Sequence, residues 1–489
     1  QQRYQQVDPI TADAIIYNAD QPVPLETQQQ QYFEEYDKPG LILSVAEVSW
    51  PGMIAVRKPF SLEALSSALE RLALARNSGC YDQDQSQQGH EQILAVFREQ
   101  IRGGRGEHST ALQQFQQQLL QRKQQQLLRQ PVLLDEYRGS VIRIDGKDYR
   151  NFSANDYLGL ATEPVVLQAY AEGVLQYGAG SSGSPLVTGY HYVHQQLTDS
   201  LCDWLGFENV LLFSSGFAAN QAMLHTLCNE QDTLLLDKLS HASLIDAARF
   251  GPSTFMRFAH NDLVSLSALL GRSKDAVVVT EGVFSMAGDS PDLASMLALC
   301  QQHQALLLLD DAHGLGVLGD EGRGSLAAQQ ISVTDVFCTM ANFGKALGVG
   351  GAFVGGSNTV IDYLTQFGRH YIYSTALSPA LCAAVVKSIE LCRKDSWRRE
   401  KLQQNIALFR ELASDLPLLD AHSAIQAVVL GTEARVLSAS LQLKQAGIWL
   451  TAIRPPTVPP GSSRLRITLS AQHSEQDIRM LVQQLRKVI

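Results

Sequence analysis

Short aliphatic runs recur along the middle of the chain, at Val210–Phe213, Leu234–Leu236, Val277–Val279, Leu306–Leu309, Val336–Thr339 and Ala352–Val354. They are too brief for helices, and strands apolar on both faces belong inside a sheet covered on both sides. The stretches between them are long enough for helices, so the spacing predicts an α/β fold with a mostly parallel sheet. Ahead of this region a helix beginning at Ser109 carries Leu112, Phe115, Leu119 and Leu120. A hairpin follows, with Asp145-Gly146 between Val141–Ile144 and Tyr149–Phe152. From about Ser378 come two long helical stretches, strands at Ala427–Val429, Trp449–Ile453 and Leu465–Leu469, and a closing helix from Ser474, a smaller α+β domain. The divisions expected are an extension over 1–108, an arm over 109–150, a large domain over 151–376 and a small domain over 377–489.

Glutamine is concentrated at one end of the chain, within the first 130 residues. Glutamine runs at Gln28–Gln31, Gln116–Gln118 and Gln124–Gln126 build no core. Between the first of these and the second, Pro39–Ala73 predicts an apolar strand, a second at Met53–Val56, and a helix from Ser61 with Leu62, Leu65, Leu69 and Leu72 inward. Its Arg57-Lys58-Pro59-Phe60 faintly resembles the last strand and helix of a phosphoacceptor receiver domain, but no acidic cluster or phosphoacceptor Asp precedes it. Tyr81–Gly106, with Gly103, Gly104 and Gly106, has the composition of a linker.

Composition narrows the function classes. The 489 residues carry 39 Lys and Arg against 49 Asp and Glu, a net charge of −10, so no basic surface is implied for nucleic acid. No apolar run approaches the roughly 20 residues that span a bilayer. Cys80, Cys202, Cys228, Cys300, Cys338, Cys382 and Cys392 include no CxxC pair, and an odd number cannot all pair within one chain, which fits a reducing cytoplasm. No basic stretch followed by an apolar one is visible at the N-terminus, so no targeting signal is expected.

In an open α/β sheet ligands collect at the carboxyl ends of the strands, so the polar residues after each strand are the candidates. Ser214-Ser215-Gly216-Phe217 is either a plain strand-to-helix turn or a turn whose backbone N–H groups hold a phosphate. Glu281, Ser285 and Asp289 follow the next such strand, in a loop that is equally a capped turn. Asp310 and His313 stand at the mouth of the Leu306–Leu309 strand, as a cap and a satisfied histidine or as working groups. Lys345, in Asn342-Phe343-Gly344-Lys345, is a solvated lysine or a Schiff-base amine whose pKa burial lowers. His191 and His194, three apart on a helix, lack a third metal ligand, and no metal is expected. Together the amine, the carboxylate, the polar groups and the phosphate turn match the needs of one cofactor, pyridoxal 5′-phosphate.

Long stretches carry a resemblance: NFSANDYLGL, LLFSSGFAANQA, DKLSHASLIDAA, VVTEGVFSMAGDSPDL, LLLLDDAHGLGVLGDEGRGS, YIYSTALSP and AIRPPTVPPGSSRLRITLS. From Ser109 to Ile489 the chain resembles the α-oxoamine synthases, pyridoxal-phosphate enzymes of transferase fold type I. The resemblance implies that Lys345 binds the cofactor and later moves a proton, and that Asp310 pairs with the ring nitrogen. It implies that His313 and Ser285 meet the phenolic oxygen, that His241 stacks on the ring, and that Gly216 and Phe217 form the phosphate turn. Arg466 would clamp a substrate carboxylate, Arg454 and Thr457 would face the acyl chain or cofactor, and Asn155 and Tyr157 look like site residues supplied by the partner subunit of a homodimer. One departure is Asn342, which stands where the family has a hydroxyl residue contacting the phosphate.

Within the family, TEGVFSM and AIRPPTVP favour joining L-alanine to a pimeloyl thioester, on coenzyme A or a carrier protein, in biotin synthesis. Sister reactions use glycine with acetyl-CoA or serine with a long acyl-CoA. A catalytically silent regulatory subunit of the same fold is a rival of another class, but such a subunit has no need of Lys345, Asp310 and His313, and all three are present.

Overall fold

The structure is a computed structural model that describes residues 110–125 and 127–489, together with the backbone of three short strands at 15–18, 40–44 and 53–57. The chain divides into two compact units, Gln1–Pro131 and Val132–Ile489, so the expected arm is shared between them. In the first unit β1 (Ile15–Asn18), β2 (Gly40–Ser44) and β3 (Met53–Arg57) form a parallel sheet in that order, and residues 110–124 are helical. The helix expected from Ser61, and with it most of the receiver-like fragment, lies outside the described residues.

The second unit opens with β4 (Glu136–Arg138), β5 (Val141–Ile144) and β6 (Lys147–Asn151). The expected hairpin joins β5 to β6, and Asp145 and Gly146 both take positive φ, 51° and 71°, as a two-residue turn of this hand requires. Next come β7 (Asn209–Phe213), β8 (Thr233–Asp237), β9 (Thr254–Phe258), β10 (Ala276–Glu281), β11 (Leu306–Asp310), β12 (Cys338–Asn342) and β13 (Ala352–Gly356). They make one sheet in the order β7-β13-β12-β11-β10-β8-β9, parallel except for β13, which runs against both neighbours.

Alternation explains why these strands are apolar throughout. Leu234, Leu236, Val277, Val279 and Leu308 share a core with Ala219, Met223 and Leu244 from the helices Gly216–Leu227 and Ala242–Phe250. The intervening Leu235, Val278, Leu307 and Leu309 pack instead with Leu266, Leu269 and Met296 from Leu263–Leu270 and Leu293–Gln302. Each strand thus buries both faces. Strand β9 had no hydropathy signal because it is an edge strand with Thr254 and Arg257 exposed. Strand β12 begins two residues later than its aliphatic run, behind a 3-10 turn at Val333–Asp335, and β13 pairs with it as far as Asn342.

The C-terminal region supplies the helices Pro379–Lys394, Ser396–Leu412, Glu433–Gln445 and Glu475–Val488. It also supplies β14 (Ile425–Gly431), β15 (Ile448–Trp449), β16 (Thr451–Ile453) and β17 (Ser463–Thr468). The single strand expected over Trp449–Ile453 is split. Trp449 pairs with Asn151 of β6, whereas Thr451 pairs with Arg466 of β17, so one short stretch serves two sheets. The closing helix starts on a capping box in which Ser474 and Asp477 satisfy each other's backbone N–H groups. Among the described residues no helix is long and apolar enough to cross a membrane.

The turn that carries Lys345 closes against the main chain of another loop. Gly348 has φ +67°, and a Cβ there would collide with the Ala161 backbone. Gly348→Ala is therefore expected to lower unfolding stability by at least about 2 kcal/mol, read by denaturant titration.

Candidate active site

Strand register assembles the site. Glu281 of β10 stands beside Asp310 of β11, Asp310 beside Met340 of β12, and β12 ends at Asn342, three residues before Lys345. The side chains of Asp310 and Asp311 then diverge, as successive residues leaving a strand do. Asp310 accepts from Asn220 Nδ2 at 2.7 Å and from the Ala312 N–H at 3.0 Å. Asp311 accepts from the Ser325 N–H at 2.7 Å and the Ser325 hydroxyl at 2.5 Å, and Cβ atoms at Gly282, Gly314 or Gly324 would run into its carboxylate. Burial pushes Asp311 up to about 7 despite those bonds. Asp311 is thus tied into the protein frame, and Asp310 faces the site.

Lys345 is half-buried and makes no ion pair or hydrogen bond among the described residues. Burial lowers its pKa to about 8, against the opposing pull of Asp310 and Glu281. Glu281 itself is buried and pushed well above the carboxylate range, first by burial and then by Asp310. It accepts the His241 N–H at 2.5 Å. His241, exposed, caps the helix Ala242–Phe250 and contacts the Ser243 hydroxyl through Nδ1 at 2.8 Å. Asn220 donates to that hydroxyl at 2.9 Å and, with its other hydrogen, to Asp310. A chain of contacts therefore runs from His241 to Asp310.

Across the site His313 is buried, and burial with the nearby Lys345, Arg466 and His241 charges holds its pKa far below the ordinary value. The imidazole is neutral. Arg466 donates from Nε to the Ser285 carbonyl at 2.7 Å, from Nη1 to the Thr468 hydroxyl at 3.2 Å and from Nη2 to Asn155 Oδ1 at 3.2 Å. Tyr157 places its hydroxyl 2.6 Å from His313 Nδ1. Asn155 and Tyr157 are thus in contact with Arg466 and His313 of their own chain. The reason is the return of β17 beside their loop, where the Ala471 N–H donates to the Tyr157 carbonyl at 2.8 Å.

Ser285 meets Arg466 through its main-chain carbonyl. Gly216 and Phe217 begin the helix Gly216–Leu227, which Ser215 caps, and a Cβ at Gly216 would lie 3.5 Å from Asn342 Nδ2. Asn342 Oδ1 is buried without a hydrogen-bond partner. Arg454 and Thr457 belong to the turn after β16, closed by the Thr457 N–H on the Arg454 carbonyl at 3.0 Å. His194 uses Nδ1 on the His191 N–H at 2.9 Å and Nε2 on the Leu377 carbonyl at 2.7 Å, the contacts of a structural histidine.

Two participants, Asn220 and His260, had no individual signal in the sequence. Glu281 and Asn220 lie in noted stretches, but only the register and the helix direction aim them at Asp310. His260 carries no local signal at all. It holds Asp237 Oδ1 at 2.9 Å through Nδ1 and Asp289 Oδ2 at 2.7 Å through Nε2, joining the loops after β8, β9 and β10. Burial would push this imidazole down, but the two carboxylates outweigh it and raise its pKa to about 9.

These features match known proteins. The family model "Aminotransferase class I and II" matches residues 147–485. An 8-amino-7-oxononanoate synthase of Photobacterium profundum is 48% identical over 375 residues, 75% of this chain and 95% of the relative. One of Vibrio cholerae is 47% identical, covering 77% of this chain and 97% of the relative. A serine palmitoyltransferase structure from Sphingomonas wittichii superposes with a TM-score of 0.74 at 29% identity, over 77% of this chain and 97% of that one. An 8-amino-7-oxononanoate synthase structure from Francisella tularensis gives 0.62 at 30%, over 69% and 96%. The chain belongs to the class I and II aminotransferase family and, within it, to the 8-amino-7-oxononanoate synthases.

The His260 clamp is testable. Its raised folded-state pKa means that its stabilisation is full below about 6.5 and is lost as pH climbs through about 9. His260→Gln is expected to cost about 2 kcal/mol at pH 6, a difference from the parent that shrinks by pH 9.5 in chemical denaturation.

Proposed function

We propose that the chain condenses L-alanine with a pimeloyl thioester, carried by coenzyme A or an acyl carrier protein, to give 8-amino-7-oxononanoate, carbon dioxide and the free thiol. This is a step of biotin synthesis, run with pyridoxal 5′-phosphate by a homodimer in the cytoplasm. The observation that carries the reading is the match to 8-amino-7-oxononanoate synthases at 47–48% identity over 95–97% of their length. Fold likeness alone favours neither this reaction nor that of the serine palmitoyltransferases, since both kinds of structure superpose. Exposed Leu175, Val187 and Tyr192 support a second copy covering them.

The residues fit the cofactor. The unpartnered amide oxygen of Asn342 lies on a side chain whose two ends exchange by rotation, so the amide can donate to a phosphate oxygen as a hydroxyl would. Backbone N–H groups at the start of Gly216–Leu227 would hold the same phosphate. When bound, pyridoxal phosphate supplies an aldehyde for an amine and a ring that draws electrons from the amino acid's α-carbon.

The other steps belong to the chain's own groups. Asp310, oriented by Asn220 and the Ala312 N–H, would hold the ring nitrogen of the cofactor and favour its protonated form. His241 would cover the ring face, and His313 with Ser285 would meet the phenolic oxygen. Arg466 keeps N–H groups beyond its three protein bonds for the alanine carboxylate. Arg454 and Thr457 would face the acyl chain or the cofactor. Lys345, with its pKa near 8, is neutral in a large share of molecules at mildly alkaline pH and takes the α-proton of alanine.

Thiol release from pimeloyl-CoA with L-alanine, beside glycine or serine and acetyl-CoA or palmitoyl-CoA, tests the reading. Release is expected with the alanine and pimeloyl pair; preference for another pair would move the reaction within the family, and none with any pair would favour the silent subunit. Lys345→Ala is expected to lose at least about a thousandfold in kcat and to prevent borohydride from fixing the cofactor to the protein. Arg466→Lys is expected to raise the KM for alanine about 30-fold with little change in cofactor affinity, because a lysine cannot make the paired contact.

A further inference from the structure

Tyr157 and His313 form a buried pair whose mutual contact no step above uses. The phenol is 1% exposed and the imidazole 6%, and their polar atoms are 2.6 Å apart. The phenol is placed by its loop: Ser470 Oγ donates to the Asp156 carbonyl at 2.8 Å, Arg398 Nη1 to the Leu158 carbonyl at 3.1 Å, and the Leu160 N–H to Asp156 Oδ1 at 2.9 Å. The hydroxyl has one hydrogen and two neighbours able to accept it. Asn155 Oδ1 lies at 3.5 Å, the limit of a bond, and already accepts from Arg466 Nη2. The Arg466 guanidinium also faces the phenol oxygen, and an N–H can only donate. The short contact therefore receives the hydrogen, and Nδ1 accepts it.

Neither partner is ionised near neutrality. Burial raises the phenol to about 12 against the pull of Arg466, and the imidazole is neutral. A neutral imidazole carries a single N–H, and the bond made by one nitrogen decides where that hydrogen sits.

We propose that the Tyr157 hydroxyl fixes His313 in the tautomer protonated at Nε2, so that the imidazole presents a single N–H donor to the cofactor's phenolic oxygen. The donor role rests on the placement of His313 under the proposed function; the tautomer rests only on the contacts within this chain. Tyr157 is then a positioning residue. It stabilises negative charge on the phenolic oxygen through His313, and with Asn155 it links that oxygen's donor to Arg466.

The test uses the cofactor-loaded protein labelled with 15N-histidine, in which two-bond proton–nitrogen correlations identify the protonated ring nitrogen. The His313 signals are those lost in His313→Asn. The expected result is Nε2–H in the parent and a substantial Nδ1–H population in Tyr157→Phe, which keeps the buried ring and loses only the hydroxyl. Nδ1–H in the parent, or an unchanged tautomer in Tyr157→Phe, overturns the proposal. In the same proteins, the pH midpoint of the cofactor's visible absorption band is expected to move by at least about half a unit, in one direction, in both Tyr157→Phe and His313→Asn. If the tautomer responds while neither substitution moves the band, His313 is not at the phenolic oxygen, and the donor role fails together with that placement.

Discussion

A buried carboxylate beside a half-buried amine is the constraint on which the rest of this site depends. Asp310 sits where a parallel strand ends, out of water, and a charge there is tolerable only when it is hydrogen-bonded. Asn220 and the Ala312 N–H provide those bonds from one side, and Lys345 provides opposite charge from the other. Lys345 in turn feels the same burial, which lowers its pKa and makes an amine usable near neutrality. Moving Asp310 by one residue would turn it toward Ser325, where Asp311 already is.

Around that pair the protein is divided into carriers and braces. Asp310, His313 and Lys345 come from the ends of two neighbouring strands, so the sheet sets their spacing. Arg466, Asn155 and Tyr157 come from β17 and from the loop that β17 holds, so the C-terminal region sets theirs. The two groups meet where Tyr157 touches His313 and Arg466 touches the Ser285 carbonyl. His260 secures the same loop from below by holding Asp289 against Asp237, at a cost in desolvation that two carboxylates offset.

Resemblance and physics contribute differently to the functional reading. Carboxylate, imidazole and amine at strand ends would suit several chemistries, and the superposition on serine palmitoyltransferase shows that one frame serves more than one condensation. It is the extended likeness in sequence that narrows the reaction. The geometry adds the reason that Asp310 and not Asp311 faces the site, since Asp311 is held by the Ser325 N–H and hydroxyl.

Much of the fold is legible in the chain alone. The aliphatic runs located six of the seven strands of the central sheet, because strands buried on both faces leave an unmistakable pattern. The Asp-Gly turn, the Ser474 cap and the polar residues after each strand were visible for the same reason: each depends on neighbours in the chain. Edge strand β9, the reversed direction of β13 and the division of Trp449–Ile453 between two sheets were not, since pairing depends on residues far away in sequence. Nor were the bonds of Asn220, Tyr157 and His260. Local sequence determined which groups could work here, and the tertiary structure alone decided which of them face one another, because burial and hydrogen bonding are properties of the assembled neighbours.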